Sequence, residues 1–387
     1  MESSRAPIDP RSSESHPATP DTRGEGPPLH EEPVAQKHRY SILDHLSRKT
    51  TSGRFIPEID SLRFVAIAMV VLYHLAGFVA ENDRLARVPD AGHGWFYDIA
   101  SHGHYGVQLF FMISGFVLAL PFAAQRLANG RPVGLRAYFL RRLTRLEPPY
   151  VLAMVAFALI LLARHRYPAA EIWTHLGASL LYSHNLVYAD GSLINNVAWS
   201  LEIEVQFYCL APLLAHLFSI GRTWLRRMVI IGLFAVSAFV VTPNVHGRWS
   251  LTLLAFLHFF LVGFLAADLY VTVWRHQDHA PWWWRGPQVL LRNAWLATIG
   301  GMCYTIYLLH FPLISFVGHN TLPLGQGTGP MTHVLVQGLV ILPVVLVVSS
   351  VYFVLVERPC MDRNWPRKLW GRVVAVRRAA MRATPSS

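Results

Sequence analysis

Charge is scarce in this sequence. Only 15% of the 387 residues are Asp, Glu, Lys or Arg, whereas about a quarter of a typical soluble domain is charged. Hydrophobic residues make up 53% of the chain, and the mean hydropathy is +0.32. This composition excludes an ordinary water-soluble domain and indicates that most of the chain lies in lipid.

Cysteine is scarce as well. The three cysteines are Cys209, Cys303 and Cys360. They form no C-x-x-C pair, and the first two lie in apolar runs, so the sequence supports neither a disulfide framework nor a zinc site. His93, His102 and His104 fall close together in an outer loop. Loop histidines are typically solvated, and we therefore expect no metal site.

Long apolar runs are abundant. A helix needs about 20 apolar residues to cross the hydrocarbon core of a bilayer. Windows of that kind lie near residues 59–80, 103–123, 148–164, 197–219, 228–243, 251–273, 294–316 and 331–356. Residues 171–185 are amphipathic and too short, which is typical of an interfacial or re-entrant helix, or of one member of a pair of spans. We predict an all-α, polytopic transmembrane helical bundle of eight to ten spans.

The two ends of the chain lack such runs. Residues 1–50 are rich in Pro, Ser, Glu and Arg without apolar periodicity, so we predict a disordered tail. The tail shows no apolar core of a secretory signal and is expected to stay in the cytoplasm. Residues 51–360 form the predicted transmembrane domain, and residues 361–387 form a basic cytoplasmic tail.

Basic residues are sorted by side of the membrane. The formal net charge of +11 would suggest nucleic acid on a soluble protein. With the N-terminus inside, however, 28 Lys and Arg residues fall in cytoplasmic segments and five fall outside. This asymmetry follows the positive-inside rule. Both termini are therefore predicted to be cytoplasmic, the C-terminal tail is expected to contact anionic lipid, and no nucleic-acid partner is expected.

The first span carries two ionisable residues on one helix face. Arg63 and His74 are eleven residues apart, which is close to three full turns and about 16 Å of helix axis. They are too distant to touch, so we expect them to bracket one long cavity. Arg63 has an alternative role, because it can extend to the interface and pair with Asp60. His74 lies deeper, where ionisable residues usually face a protein-lined or water-filled interior.

A second polar cluster enters the fourth span at Trp199. Glu202 and Gln206 share one helix face, and Glu204 and Tyr208 share another, since residues i and i+4 align. The two carboxylates therefore do not face one site. Glu202 lies at the mouth of the span, where a cap at the interface is the alternative to a functional role.

Two further stretches combine small or polar residues with aromatic ones. Residues 105–116 contain Ser114 and Gly115, and small residues let helices or a ligand approach closely. Residues 300–312 place His310 just before Pro312, inside a span. Helix packing is the alternative explanation for the first stretch, and both alternatives stay open for His310.

Taken together, these elements resemble the acyltransferase-3 family of integral membrane acyltransferases, from about residue 57 to residue 359. The matching elements are Asp60, Arg63 and His74; Phe110 to Phe116; Arg141 to Pro148; Trp199 to Tyr208; Tyr304 to Pro312; and Glu357 to Pro359. The chain departs from the family pattern in showing eight spans where ten are common, and in having Met302-Cys303 where a serine usually precedes the tyrosine. No hydrolase-like extension follows Pro359, so we expect a stand-alone transferase module.

The resemblance implies transfer of an acyl group, often acetyl, from cytoplasmic acyl-CoA to a hydroxyl of a carbohydrate or glycoside at the far side of a bacterial plasma membrane. It implies His74 as the base or acyl relay and Glu204 as the carboxylate that orients it. The residues expected to bind donor or acceptor are Arg63, Ser114, Arg141, Arg142, Arg145, Trp199, Tyr208, Tyr304 and His310. Acyl-CoA is then a substrate, and no bound cofactor is expected.

Arg, His and Glu residues inside membrane spans are also typical of proteins of another class. In a secondary transporter or flippase they would form a proton relay and a substrate path. Against it, the two halves of the sequence show no internal repeat. A membrane O-acyltransferase of the His/Asn type is a third class, but Asn195 and Asn196 occur only near a span entrance.

Overall fold

The structure, a computed structural model, describes residues 46–48, 56–82, 94–274, 282–362, 365–368 and 374. All of them belong to one unit of the chain, residues 42–387. Most of the predicted N-terminal and C-terminal tails lies outside these residues, as does His93. The described part of the chain contains helices and no strands.

The helices follow the apolar runs. In chain order they are α1 (Pro57–Asn82), α2 (Gly94–Ser101), α3 (Tyr105–Leu127), α4 (Leu135–Ala163), α5 (Ala169–Leu180), α6 (His184–Tyr188), α7 (Trp199–Leu214), α8 (Thr223–Ala235), α9 (Leu253–Thr272), α10 (Trp282–Leu291), α11 (Ala294–Gly301), α12 (Cys303–Thr321), α13 (Pro330–Tyr352) and α14 (Arg358–Cys360). A 3-10 turn, His102–His104, joins α2 to α3, and another, Asn196–Ala198, leads into α7.

Seven helical segments in the described ranges are long and apolar enough to cross a membrane: Pro57–Asn82, Asp98–Leu127, Leu135–Ala163, Asn196–Ser219, Thr223–Asn244, Gly247–Thr272 and Pro330–Cys360. Helices α11 and α12 meet at a bend of 68° and form an eighth if they count as one broken span. Every predicted window falls on one of these eight, so the all-α transmembrane bundle is confirmed. The short segment predicted near residues 171–185 overlaps α5, which has 12 residues.

Glycines bring α1, α3, α9 and α11 into backbone contact. A Cβ atom at Gly106 would overlap the carbonyl oxygen of Ala66 on α1, and one at Gly115 would overlap that of Phe260 on α9. A Cβ at Gly300 on α11 would overlap the carbonyl of Asp60 on α1. Small residues permit such close approach in membranes. Helix α3 is therefore held between α1 and α9, and this contact fixes the depth of Ser114 relative to the first span.

Six prolines lie inside helices α3, α4, α7, α12 and α13. Proline has no N–H, so the carbonyl four residues earlier loses its helical partner. For three of them, Pro148, Pro212 and Pro312, this carbonyl accepts a bond from a side chain of another element: Thr144 from Trp365 Nε1 at 2.9 Å, Tyr208 from the Tyr138 hydroxyl at 3.2 Å, and Leu308 from Asn195 Nδ2 at 2.8 Å. These three positions are thereby tied to neighbouring parts of the bundle.

A buried ion pair joins α8 to α9. The Arg226 guanidinium is almost fully buried and donates through Nε to Asp268, while Arg227 Nε donates to the same carboxylate at 2.9 Å. Arg227 also donates to Thr272 at 2.9 Å. Two of the basic residues counted as cytoplasmic therefore also join two spans.

Candidate active site

His74 and His310 form a hydrogen-bonded pair inside the bundle. Nδ1 of His74 on α1 lies 3.2 Å from Nε2 of His310 on α12 and 2.9 Å from the carbonyl of Val70. Nδ1 of His310 lies 2.7 Å from the carbonyl of Tyr307 and 3.1 Å from that of Ile306. Both histidines were singled out in the sequence, and the structure brings them together.

The contacts assign the hydrogens of the two rings. Carbonyl oxygens only accept, so Nδ1 of His310 carries its hydrogen, and Nε2 of the neutral ring is an acceptor. His74 must then donate from Nδ1, to His310 and to Val70. Nε2 of His74 is left with a free lone pair, the form required of a base or a nucleophile.

Aromatic rings surround this pair. The rings of His74 and Phe311 lie 5.2 Å apart edge to face, and those of His310 and Tyr307 lie 5.6 Å apart. His310 is fully buried, whereas His74 is partly accessible. The accessible ring is thus the one that keeps its lone pair, and the buried ring serves to orient it.

Glu204 has a different partner from the one expected. Its Oε1 accepts a hydrogen bond from the Ser114 hydroxyl at 2.7 Å, which joins α7 to α3. The structure does not bring Glu204 into hydrogen-bond contact with His74, whose partners are His310 and Val70. Helix periodicity placed Glu204 and His74 in the interior correctly, but their partners depend on which helices are adjacent.

Two adjoining cavities lie beside Glu204. The smaller has a volume of about 100 Å³ and is lined by Arg63, Ser114, Glu204 and Tyr307, among others. The larger, of about 380 Å³, lies between α4 and α7. The cavities share Arg142, Leu146, Leu201, Glu204, Tyr208 and Tyr304. Tyr307 lies one helical turn before His310 and is the lining residue nearest to the pair in α12. Neither His74 nor His310 lines either cavity, so of the two residues expected to bracket one cavity only Arg63 lines it.

Three arginines line the smaller cavity: Arg63, Arg142 and Arg145. Arg63 Nη1 donates to Asp60 Oδ1 at 2.6 Å, and Arg145 Nη2 lies 3.9 Å from Glu357 Oε1. Within the described ranges, Nε of Arg145 is buried without a hydrogen-bond partner. Several guanidiniums with unused donors beside a cavity form a site that suits an anion.

Asp60 also binds a residue that precedes the first span. Its Oδ2 lies 3.1 Å from Nε of Arg48. Burial lowers the pKa of Arg48 to about 10, and the neighbouring positive charge of Arg63 acts in the same direction. Asp60 therefore neutralises part of a positive cluster. Its pair with Arg63 is the one named in the alternative role of Arg63, and it forms while Arg63 lines the smaller cavity.

Other residues selected from the sequence occupy different places. Arg141 is exposed and lines neither cavity. The ring of Trp199 packs 5.5 Å from that of Phe256, outside both cavities. Tyr208 stacks beneath the Arg142 guanidinium at 5.6 Å. Tyr304 lines both cavities and donates to a backbone carbonyl at 3.0 Å.

Glu202 anchors the outer segment rather than the cavities. Its carboxylate accepts the backbone N–H groups of His184 at 3.2 Å and Asn185 at 2.9 Å. The His184 ring in turn contacts Nδ1 of His175 at 2.7 Å and the carbonyl of Asp190 at 3.2 Å. Glu202 is fully buried, so these two N–H groups are capped in the protein interior.

Several residues that the structure places here were not selected from the sequence. Tyr307 and Glu357 belong to motif elements but had no predicted site role, and Thr305 donates to Glu357 at 2.5 Å. Asn195 was considered only for the His/Asn class of acyltransferase, and no local pattern predicted that its side chain bonds α12. In the described part of the chain, no three His, Cys, Asp or Glu side chains are close enough to hold a metal ion.

Fold and site together define a polytopic membrane protein with a histidine pair and an arginine-lined cavity inside its helix bundle. Residues 56–291 match the family described as an acyltransferase domain, the acyltransferase-3 family. This match covers more than half of the chain, and the chain belongs to that family.

Two bacterial relatives illustrate the similarity. The chain is 29% identical over 210 residues to the peptidoglycan O-acetyltransferase OatA of Listeria monocytogenes, an alignment that covers 50% of this chain and 30% of the relative. It is 27% identical over 212 residues to the O-acetyltransferase OatA of Staphylococcus aureus, with 51% and 32% covered. The matched part thus spans about a third of these relatives. No solved structure matches the chain.

Proposed function

We propose that this protein is a membrane O-acyltransferase that moves an acyl group, acetyl in the simplest case, from cytoplasmic acyl-CoA to a hydroxyl of a carbohydrate at the far side of the bilayer. The observation that carries the proposal is the His74–His310 contact, which leaves Nε2 of His74 unprotonated. Family membership and the O-acetyltransferase names of its relatives support the same chemistry.

The proposed donor site is the arginine-lined cavity. Acyl-CoA carries phosphates at its nucleotide end, and guanidiniums bind phosphate through paired, charge-assisted hydrogen bonds. Arg63, Arg142 and Arg145 supply such donors, and Nε of Arg145 is unpartnered in the described structure. The thioester end would then extend along Tyr307 towards His74, over roughly the 16 Å of axis that separate Arg63 from His74.

Two sequences of steps satisfy the geometry of His74. As a base, Nε2 takes the proton of the acceptor hydroxyl while the hydroxyl oxygen attacks the thioester carbonyl. The C–S bond then breaks, and the CoA thiolate receives that proton from Nε2. As a relay, Nε2 itself attacks the thioester carbonyl, the C–S bond breaks and CoA leaves as the thiolate. The acceptor hydroxyl then attacks the acyl group on the imidazole, the C–N bond breaks, and the hydroxyl proton is released to water, where it balances the thiolate. A labelled acyl adduct on His74, trapped with donor alone, would distinguish the relay from the base.

The proposed acceptor is a glycan hydroxyl of the cell envelope, since one relative is named a peptidoglycan O-acetyltransferase. The proposed layout has residues 51–360 as the transmembrane acyltransferase domain of a bacterial plasma membrane. Both tails would be cytoplasmic, as the distribution of Lys and Arg indicates.

The decisive test replaces His74 by Ala in membranes that contain equal amounts of folded protein. Acyl transfer to glycan should fall by about a hundredfold or more, the usual contribution of a positioned base. His319→Ala is the matched control, because His319 lies on the same helix as His310 but is exposed and nine residues further along it. Near wild-type turnover in His74→Ala would contradict the proposal, and donor-independent uptake of labelled substrate would favour a transporter.

A further inference from the structure

Pro312 lies in α12, two residues after His310. In an unbroken helix the carbonyl of Leu308 would accept the N–H of residue 312, but proline has none. Leu308 is fully buried, and a buried carbonyl without a partner destabilises the fold. His310 lies between Leu308 and Pro312, so a donor to this carbonyl acts on the part of α12 that carries the His310 ring.

Asn195 supplies the missing bond from another part of the chain. Its Nδ2 donates to the Leu308 carbonyl at 2.8 Å, and the residue is only 2% exposed. Asn195 lies in the segment that leads into α7, 113 residues away in sequence. It lines neither cavity, so its side chain is not part of the proposed donor site.

A second bond from the same segment reinforces this attachment. The hydroxyls of Ser200 and Tyr307 lie 2.6 Å apart, and the Tyr307 hydroxyl also lies 3.2 Å from the carbonyl of Val197. Residues 195–200 therefore hold the turn of α12 that contains Tyr307 and Leu308. The Tyr307 carbonyl of this turn is the one that fixes the hydrogen on Nδ1 of His310.

We infer that Asn195 is a positioning residue that acts through His310. By binding the carbonyl freed by Pro312, it keeps Nε2 of His310 within hydrogen-bond reach of Nδ1 of His74 and so maintains the lone pair on Nε2 of His74. The inference deepens the proposed acyl transfer and rests on it for its catalytic consequence. The carbonyls of Thr144 and Tyr208, which Pro148 and Pro212 leave without a helical partner, have no histidine in the adjacent turn.

Asn195→Ala and Asn196→Ala are the matched pair that tests this role. Asn196 is the next residue, of the same type, but exposed. Asn195→Ala should lower kcat by about tenfold to a hundredfold, the cost of a small misplacement of a reacting group. The KM values for donor and acceptor should stay within about twofold, since Asn195 contacts neither site. Asn196→Ala should change neither.

The double variant Asn195→Ala/His310→Ala tests whether Asn195 acts through His310. Its kcat should equal that of His310→Ala alone, because the effect of Asn195 is already lost. A further tenfold drop would overturn the inference. So would a kcat of folded Asn195→Ala within about twofold of wild type, or a raised KM with unchanged kcat.

A readout that needs no catalysis separates this inference from the proposed function. Hydrogen–deuterium exchange at ring carbon 2 of His310, followed by mass spectrometry, responds to the hydrogen bonds of the imidazole. Exchange should accelerate severalfold in Asn195→Ala and be unchanged in Asn196→Ala. If exchange at His310 accelerates in Asn195→Ala but the wild-type protein transfers no acyl group, the positioning role stands and the proposed function is wrong. If exchange at His310 is the same in Asn195→Ala as in wild type, the positioning role is wrong.

Discussion

At the scale of single residues, the proposed reactive centre depends on two histidines with different tasks. His310 is fully buried; its Nδ1 bonds carbonyls of α12 and its Nε2 accepts from His74, so its ring has one orientation. His74 is partly accessible and keeps a free nitrogen. This division is the same one found wherever a second group fixes the tautomer of a reacting imidazole. The second group here is another imidazole rather than a carboxylate.

The sequence was sufficient to select both histidines but not to pair them. Helical periodicity placed Arg63 and His74 on one face, and the cost of a buried ionisable group marked His74 as functional. The pair itself joins positions 236 residues apart, and the Ser114–Glu204 bond joins positions 90 apart. Such partners follow from which helices are adjacent, and a single sequence contains no information about that.

The arginine cluster gives a prediction at this scale. Replacing Arg142 and Arg145 by Gln should raise the donor KM by roughly tenfold or more, since each lost charge-assisted bond is worth about 1.5–3 kcal/mol. The acceptor KM should change less. Arg141→Gln is the matched control, because Arg141 is exposed and lines neither cavity. The donor KM is measured from initial rates over a series of donor concentrations. If Arg142→Gln and Arg145→Gln have the same donor KM as Arg141→Gln, these arginines only determine the orientation of the chain in the membrane.

At the scale of helices and turns, proline positions explain how distant segments are tied together. Pro148, Pro212 and Pro312 each free one carbonyl, and each carbonyl is bound by a side chain from another element. The sequence showed the prolines and predicted the helices that contain them. It did not identify the donors, because a Trp, Tyr or Asn side chain that binds a carbonyl has no local signature.

The outer segment between α4 and α7 gives a prediction about pH. His184 is buried, and burial lowers its pKa from the ordinary value of 6.5. The Asp190 carbonyl fixes the hydrogen on Nδ1, so Nε2 must stay unprotonated to accept from His175. Glu202 faces the segment through backbone N–H groups only. As pH falls below about 6.5, the unfolded segment binds a proton that the folded one does not, and stability is lost.

Amide hydrogen exchange of residues 175–190, corrected for its intrinsic pH dependence, measures this effect. Protection should be full at neutral pH and should decrease as the pH is lowered through 6 towards 5. His184→Asn should remove the pH dependence, whereas His165→Asn should keep it, because His165 is exposed. Protection that does not change with pH in the wild-type protein would show that His184 does not control this segment.

At the scale of the whole molecule, the sequence predicted the number and place of the spans well. Seven of the eight windows fall on single helical segments long enough to cross a bilayer, because span formation depends on local composition. The eighth window falls on the bent pair α11 and α12. The break between α11 and α12, with its bend of 68°, was not predicted. Gly300, Gly301 and Pro312 were visible in the sequence, but the angle depends on packing against α1.

The proposed path runs from an arginine cluster predicted on the cytoplasmic side to a histidine in the opposite leaflet. Arg63 and His74 lie on one face of α1, separated by about three turns. The smaller cavity is lined by both Arg63 and Tyr307, and Tyr307 lies one helical turn before His310. Donor and acceptor would thus approach from opposite sides of the membrane, and neither would have to cross it.

Sidedness in vesicles that contain the protein in one orientation tests this account most directly. Labelled acyl-CoA is supplied only on the side of the arginine cluster, and the glycan acceptor only on the other. We expect labelled glycan to form with the wild-type protein and with His319→Ala at the same rate. With His74→Ala we expect none. Transfer that requires donor and acceptor on the same side, or that persists in His74→Ala, would contradict the account.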